Sequence, residues 1–245
     1  MSISKRQEQI LEILNERTFV TVNDLSKLTF TSPSSIRRDL TYLQHNGLVE
    51  RTHGGVSTPN PIKGVASFYD RARKNMKAKR IVAQKASPLL RDGQNILLDS
   101  SSTVQYLLPY IAKKNGVSVF TNNLSTAIQS IELGINTHCL GGRALNGSVV
   151  LTGADTYRSL ANLNADIVFF SSQSLNINGE ITDSTQEENY ATMLMLQSAK
   201  TSVFLCDSEK FNTTSVHKLC NLNDIDFAVF DEHYDELITS CSLLS

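Results

Sequence analysis

The stretch SPSSIRRDLTYLQHNGLVERTHGGVS, residues 32–57, decides how the front of the chain is read. Ser32 can cap the free amide groups of a helix, and Pro33 takes the first helical position, where its missing N–H costs nothing. Ile36, Leu40 and Leu43 then recur on one face, and Gly47 stops the run. The other face carries Ser34, Ser35, Arg37, Arg38, Thr41, Tyr42 and His45, which are hydrogen-bond donors with two arginines in the first turns. Past the helix, Leu48 to His53 alternates like a strand, Gly54 and Gly55 can turn, and Val56 with Ser57 can return. This predicts a small β-wing carrying Arg51 and His53.

Upstream, Ile10, Ile13 and Leu14 recur at helical spacing between Lys5 and Arg17, which makes a first amphipathic helix. Thr21 to Asp24 reads as a capping box ahead of Val22, Leu25 and Leu28, so a second short helix starts there and ends near Thr29. A short helix, a tight turn and a third helix with donors at its amino-terminal end have the form of a helix-turn-helix whose last helix enters the major groove. Its arginines can pair with a guanine edge or with phosphate. A plain three-helix bundle with solvated arginines would show the same spacing.

The chain has 245 residues, room for one large domain or two small ones, with two favoured by ordinary domain size. Hydrophobic residues make up 40 % and charged residues 19 %, within the globular range, and no run is long and apolar enough to span a membrane. The amino terminus, MSISKRQEQILEILNER, carries charge on every turn and is no secretion signal, so a cytoplasmic protein without a membrane partner is expected. Cys139, Cys206, Cys220 and Cys241 form no C-x-x-C pair. They are read as reduced, mostly buried thiols, and neither a metal nor a cofactor is expected.

Charge is distributed unevenly. Residues 1–57 carry +1, residues 58–91 carry +8, from nine Lys and Arg against Asp70, and the remainder carries −10. Residues 58–67 hold two prolines and a glycine without an apolar face and are read as a linker between domains 1–57 and 68–245. From Phe68, one helix with an apolar stripe through Met76, Ile81, Val82, Ala86, Leu89 and Leu90 is expected to run to Asp92 and Gly93. Its basic residues either approach DNA phosphate or solvate the helix.

Downstream, NILLD, VSVFT, THCLG, SVVL, DIVFFS, SVFLCD and IDFAVF are strand candidates separated by helical patterns. They predict an α/β layered domain with mainly parallel strands, which binds ligands at the carboxyl ends of strands near a switch in strand order. Asp99, Ser100, Ser101, Ser102 and Thr103, at a helix start, make either an anion site or an ordinary serine-rich cap. Thr121, Asn122 and Asn123 suit sugar hydroxyls, and Gly141, Gly142 and Arg143 offer close backbone approach and a cation. The three loops are expected to converge on one rim. Glu180 to Asp183, Glu187 and Glu188 fall near that rim, with a surface role favoured over ligand contact.

The string from Ser35 to Leu40, followed by His53, Gly54 and Gly55, resembles the amino-terminal signature of DeoR-type bacterial transcriptional regulators. The resemblance implies a winged helix-turn-helix that binds operator DNA, with Arg37 and Arg38 on the recognition helix. Asp39 would then orient an arginine or cap a local donor. Phe30, Thr31 and Ser32 depart from the usual Val before the Ser. The remainder resembles the DeoR-type carboxy-terminal sensor domain, similar in fold to ribose-5-phosphate isomerase, through Asp99 to Thr103, Thr121 to Asn123, Gly141 with Gly142, and Cys206 to Phe211. That implies a sugar-phosphate effector with its phosphate on Ser100, Ser102 and Thr103, Lys210 pairing with an effector oxygen, and Asp207 positioning Lys210. Ser101 stands where Gly is common, and Ser171 to Ser174 replace a usual Gly-Ala-Asp/Asn-Gly stretch.

The expectation is therefore a non-enzymatic regulator, a repressor of a sugar-utilisation operon working as a homo-oligomer, dimer or tetramer. Two other classes are a sugar-phosphate isomerase with an attached DNA-binding head, recruiting Asp99, Asp183 and Lys210, and a DNA-binding scaffold with an inert pocket. The Ser171 to Ser174 replacement leaves the acid–base set of the isomerase reading less complete.

Overall fold

The computed structural model describes residues 4–16, 19–45, 48–52, 55–57, 63–145, 148–234 and 241–244. The chain divides into two units, Met1–Lys63 and Gly64–Ser245.

In the first unit, α1 (Lys5–Glu16), β1 (Phe19–Thr21), α2 (Val22–Leu28) and α3 (Pro33–His45) precede β2 (Glu50–Thr52) and β3 (Gly55–Ser57). Ile10, Leu14, Leu25, Ile36, Leu40 and Leu43 are buried together with Val20, Val49 and Val56, so the helical spacing of the apolar residues does select the core. Thr21 caps α2, its hydroxyl accepting the Asp24 N–H at 3.1 Å and donating to the Asp24 carboxylate at 2.7 Å. Ser32 starts α3: its hydroxyl accepts the Ser35 N–H at 3.4 Å and its carbonyl accepts the Ile36 N–H at 3.1 Å. The wing is present as an antiparallel pair of β2 and β3, with β1 added as a third strand beyond β3. β1 was not foreseen, because three residues are too short to show alternation. A side chain at Gly55 would collide with the Phe19 ring, which explains glycine there.

Asp39 is buried and ties α3 to α1. It accepts from Arg6 Nε and from Arg6 Nη2 at 3.2 Å, and from Gln7 Nε2 at 3.4 Å. The arginine that Asp39 orients is therefore Arg6 of α1, outside α3.

The second unit contains α4 (Lys63–Arg73), α5 (Met76–Ala86), β4 (Asn95–Leu98), a short α6 (Leu108–Ile111), β5 (Ser118–Thr121), α7 (Leu124–Glu132) and β6 (Asn136–Cys139). Next come a hairpin of β7 (Arg143–Ala144) and β8 (Leu151–Thr152), α8 (Ala154–Ala161) and β9 (Ile167–Phe170). The chain continues through β10 (Ser174–Leu175), β11 (Glu180–Asp183), α9 (Gln186–Gln197), β12 (Ser202–Cys206), β13 (His217–Asn221), β14 (Phe227–Phe230) and β15 (Ser242–Leu244). Seven strands form a parallel sheet in the order β15-β14-β12-β9-β4-β5-β6, while β10, β11 and β13 form a small antiparallel sheet. Val82, Ala83 and Ala86 of α5 cover one face of the large sheet with Ile96, Leu98 and Val203. Leu160, Ala191 and Met195 of α8 and α9 cover the other face with Leu97 and Val168. The unit is thus layered helix, sheet, helix.

Several expectations are corrected. The single helix from Phe68 is two, interrupted at Lys74 and Asn75, where Asn75 adopts a left-handed φ of 55°, a conformation Asn tolerates better than most residues. Residues 63–67, read as linker, form the first turns of α4; residues 58–62 lie outside the described residues. Of SVVL only Leu151 is in a named strand, paired in β8 to the β7 hairpin arm. Cys139 is exposed rather than buried, although all four cysteines are free thiols. Among the described residues, no helix is long and apolar enough to cross a membrane.

Asp39→Ala is expected to cost the first unit about 1 to 2 kcal/mol, the scale of lost charge-assisted hydrogen bonds. Hydrogen exchange should show weakened protection in α1 and α3 with the second unit unchanged; full protection in α1 would contradict the tie.

Candidate functional site

On α3, Ser34, Arg37, Arg38, Thr41 and Tyr42 are exposed and Ser35 is half-buried. The Ser32 hydroxyl lies 3.1 Å from each of the Ser34 and Ser35 hydroxyls at the helix start. Thr41 Oγ1 donates to the Arg37 carbonyl at 2.8 Å and accepts from Arg51 Nη1 at 3.5 Å, so the wing arginine reaches the outer face of α3. His53 and the side chain of His45 lie outside the described residues. On α3 the exposed charged residues are Arg37 and Arg38, since Asp39 is turned inward, while the short α2 exposes Asp24 and Lys27. A helix surface of donors and cations, without an exposed acid, is suited to a polyanion.

In the second unit a cavity of about 790 Å³ opens at the carboxyl ends of β4, β9 and β12. From β4 the chain builds outward through β5 and β6, then crosses back to place β9 on the other side of β4 and continues through β12 and β14. β4 and β9 therefore flank the reversal of strand order, where the loops leaving the sheet diverge and open a crevice. Asp99 follows β4, Ser171 follows β9 and Asp207 follows β12. Among the described residues, Leu219 is the only apolar one in a lining otherwise made of hydroxyls, amides and charges. The Thr185 hydroxyl, at the start of α9 and in the same lining, is buried with no hydrogen-bond partner among the described residues.

Asp99 is buried beneath this floor. Its Oδ1 accepts from the Ser101 N–H at 3.0 Å and hydroxyl at 2.6 Å, and its Oδ2 from the Ser171 N–H at 3.1 Å. Burial raises its pKa to about 6 against the pull of those donors. Lys210 Nζ is held by Ser171 Oγ at 2.8 Å, Thr103 Oγ1 at 3.1 Å and the Asp207 carboxylate at 3.4 Å. Asp207 in turn accepts from Asn75 Nδ2 at 3.1 Å, so the left-handed break between α4 and α5 brings Asn75 onto the site.

Lys79 is the second cation. It is buried, donates to the Arg71 carbonyl and reaches Ser102 Oγ at 3.4 Å; burial and repulsion from Lys210 lower its pKa to about 8. In the same lining, burial and the nearby Asp183 raise Glu188 to about 7, against a hydrogen bond from Ser100. The lining thus brings ammonium groups, serine hydroxyls, carboxyl groups and amides together. The ammonium and hydroxyl groups can hold a phosphate, and the carboxyl and amide groups can exchange hydrogen bonds with a polyol.

The residues expected from sequence separate into two groups. Asp99, Ser100, Ser101, Ser102 and Lys210 line the cavity, and Thr103 stands behind it as a partner of Lys210. Thr121, Asn122, Asn123, Gly141, Gly142 and Arg143 do not line it, which corrects the expected convergence of three loops. The β7–β8 hairpin occupies the ends of β5 and β6: Asn122 Nδ2 donates to the Leu151 carbonyl at 2.9 Å, and Asn123 bridges to Val150. Asn123 also caps α7 and donates to the Ser100 carbonyl at 2.9 Å, so it steadies the serine loop from behind. Gly142 has a φ of 135°, and its close approach is to Thr152 and Thr156. Arg143 is exposed on the hairpin.

Lys79 and Glu188 were not singled out as ligand groups. For Lys79 a signal existed in its phase: it falls on the same face of α5 as Val82, Ala83 and Ala86.

The chain is similar to known proteins in both units. The family profile described as "DeoR-like helix-turn-helix domain" matches residues 6–61, and that described as "DeoR C terminal sensor domain" matches residues 74–232. The L-fucose operon activator of Haemophilus influenzae is 32 % identical, covering 90 % of this chain and 88 % of its own length. The HTH-type transcriptional repressor GlcR of Bacillus subtilis is 28 % identical over 93 % of this chain and 88 % of its own. A D-ribose-5-phosphate isomerase solved with phospho-erythronic acid is 15 % identical with a TM-score of 0.43, over 56 % of this chain and 54 % of that one.

Raising the pH ionises Asp99 through about 6 and Glu188 through about 7, and discharges Lys79 through about 8, so every step makes the cavity more negative. Sulfate, whose own charge is constant there, should bind roughly tenfold more weakly at about pH 9 than at about pH 6. Calorimetry that finds no binding, or binding that strengthens with pH, would contradict this assignment.

Proposed function

The chain belongs to the DeoR family of transcriptional regulators, and we propose that it represses a sugar-utilisation operon by binding operator DNA through α3 and the wing, and that a sugar phosphate in the cavity of the second unit relieves this. The observation carrying the proposal is the cavity lining at the strand-order reversal, where Lys79 reaches Ser102, Lys210 is held by Thr103 and Ser171, and Ser100 and Ser101 line the same cavity. Two buried or half-buried ammonium groups beside serine hydroxyls suit a phosphate, and the size and polarity of the cavity suit a sugar. The outer face of α3 is the DNA contact of this reading, with Ser34, Ser35, Arg37, Arg38, Thr41 and Tyr42 in the groove and Arg51 and His53 on the wing.

The protein acts in the cytoplasm as a homo-oligomer, dimer or tetramer, because helix-turn-helix heads read paired half-sites and a two-fold arrangement supplies the pair. A sensor role rather than catalysis is supported by Asp99 and Lys210. Both oxygens of Asp99 accept from Ser101 and Ser171, and Lys210 is tethered by three protein oxygens, so both already serve to hold the loops of the cavity together. Effector binding changes DNA affinity only through different affinity for two arrangements of the protein.

Fluorescence anisotropy with promoter DNA flanking the gene tests the reading. The wild type should bind in a sequence-dependent way, and Arg37→Ala should lose about 1 to 3 kcal/mol and relax base preference at one position. Unchanged binding by Arg37→Ala would remove α3 from the interface. No specific binding by the wild type would overturn the DNA reading itself.

A further inference from the structure

Phe30 stands out in the turn between α2 and α3. It is 96 % exposed, and its φ of 51° lies in the left-handed region, which disfavours a bulky side chain. The turn holds it there on both sides. Thr29 N–H donates to the Leu25 carbonyl at 2.9 Å, Thr31 N–H to the Ser26 carbonyl at 3.0 Å, and the Ser26 hydroxyl to the Thr31 carbonyl at 2.5 Å. A glycine or asparagine would hold the same turn with less strain and without placing an aromatic ring in water. An outlier of this kind points to a role outside the folding of its own unit.

The location says what the ring meets. Phe30 lies two residues before Ser32, which starts α3, and so travels with the amino-terminal end of that helix. The helix that follows it, α3, exposes Arg37 and Arg38 and turns its one acid, Asp39, inward. A ring fixed at the tip of a recognition helix whose exposed charges are arginines meets a polyanion that also offers apolar groups. The major groove is such a partner, since each thymine displays its 5-methyl group there.

We propose that Phe30 is a DNA contact that packs its ring on a thymine methyl group beside the amino-terminal end of α3. This rests on the DNA-binding reading given above and adds to it a specificity-determining residue. The ring supplies the affinity, and the left-handed turn aims it.

The test uses the full-length protein and the operator located by footprinting in the promoter DNA beside its gene. Affinities are measured for the wild type, Phe30→Gly and Phe30→Asn, each also on operators in which single thymines are replaced by deoxyuridine, which lacks only the methyl group. Phe30→Gly and Phe30→Asn should bind about tenfold more weakly, the scale of one lost base contact, while their thermal midpoints match or exceed the wild type's. One deoxyuridine replacement should weaken the wild type severalfold and leave both variants unaffected. Variants that bind as tightly as the wild type, or a wild type indifferent to every deoxyuridine, would overturn the proposal while leaving the DNA reading intact. A wild type that binds no promoter DNA would overturn both.

Discussion

The reversal of strand order between β4 and β9 is the constraint on which the second unit depends. Parallel strands leave their loops at one edge, and loops that run in opposite directions from neighbouring strands leave a gap between them. Asp99 closes the bottom of that gap by accepting from Ser101 on its own loop and from the Ser171 N–H across it. The carboxylate is buried, which is unfavourable for a charge, and its three donors offset that cost. Above it, Lys210 joins Thr103 to Ser171, and Asp207 joins Lys210 to Asn75. Polar residues from β4, β9, β12 and the α4–α5 break are thus held by one network, and the cavity is its upper surface.

The first unit works by a different division of labour. Its apolar residues form the core, an inward acid, Asp39, fastens α3 to α1 through Arg6, and the outer face of α3 is left to cations and hydroxyls. Turning that acid inward removes the one negative charge that would otherwise sit among the exposed arginines of α3. The same side chain therefore adds stability to the fold and leaves the outer face with one sign of charge.

What was legible in the sequence depended on how many signals agreed at one place. α3 was legible because cap, Pro33 and apolar spacing all coincide. The inner strands β4, β5, β9, β12 and β14 of the large sheet were legible as apolar runs, because both faces of that sheet are covered by helices, whereas the edge strand β15 was not among the candidates. β1 and β10 were too short to carry a pattern, β11 has charged ends and no apolar run, and the break at Asn75 is set by one left-handed residue inside a continuous helical periodicity. The rim was only half legible: loops after three successive strands look equivalent in sequence, yet only the loop after β4 borders the reversal, and the ends of β5 and β6 are taken up by the β7–β8 hairpin. Lys79 was hidden by the basic belt around it, since counting charges ignores the phase that puts this lysine on the buried face of α5.

The central claim is that a phosphorylated sugar in the cavity controls the hold of the first unit on DNA. It is tested most directly by titrating the protein–promoter complex with a set of sugars, each with and without its phosphate, and reading anisotropy for the wild type and for Lys210→Met. The account predicts that at least one phosphorylated sugar releases the wild-type complex, that its unphosphorylated form does not, and that the Lys210→Met complex binds DNA as before and ignores both. Release by the unphosphorylated sugar, or an undiminished response in Lys210→Met, would contradict it.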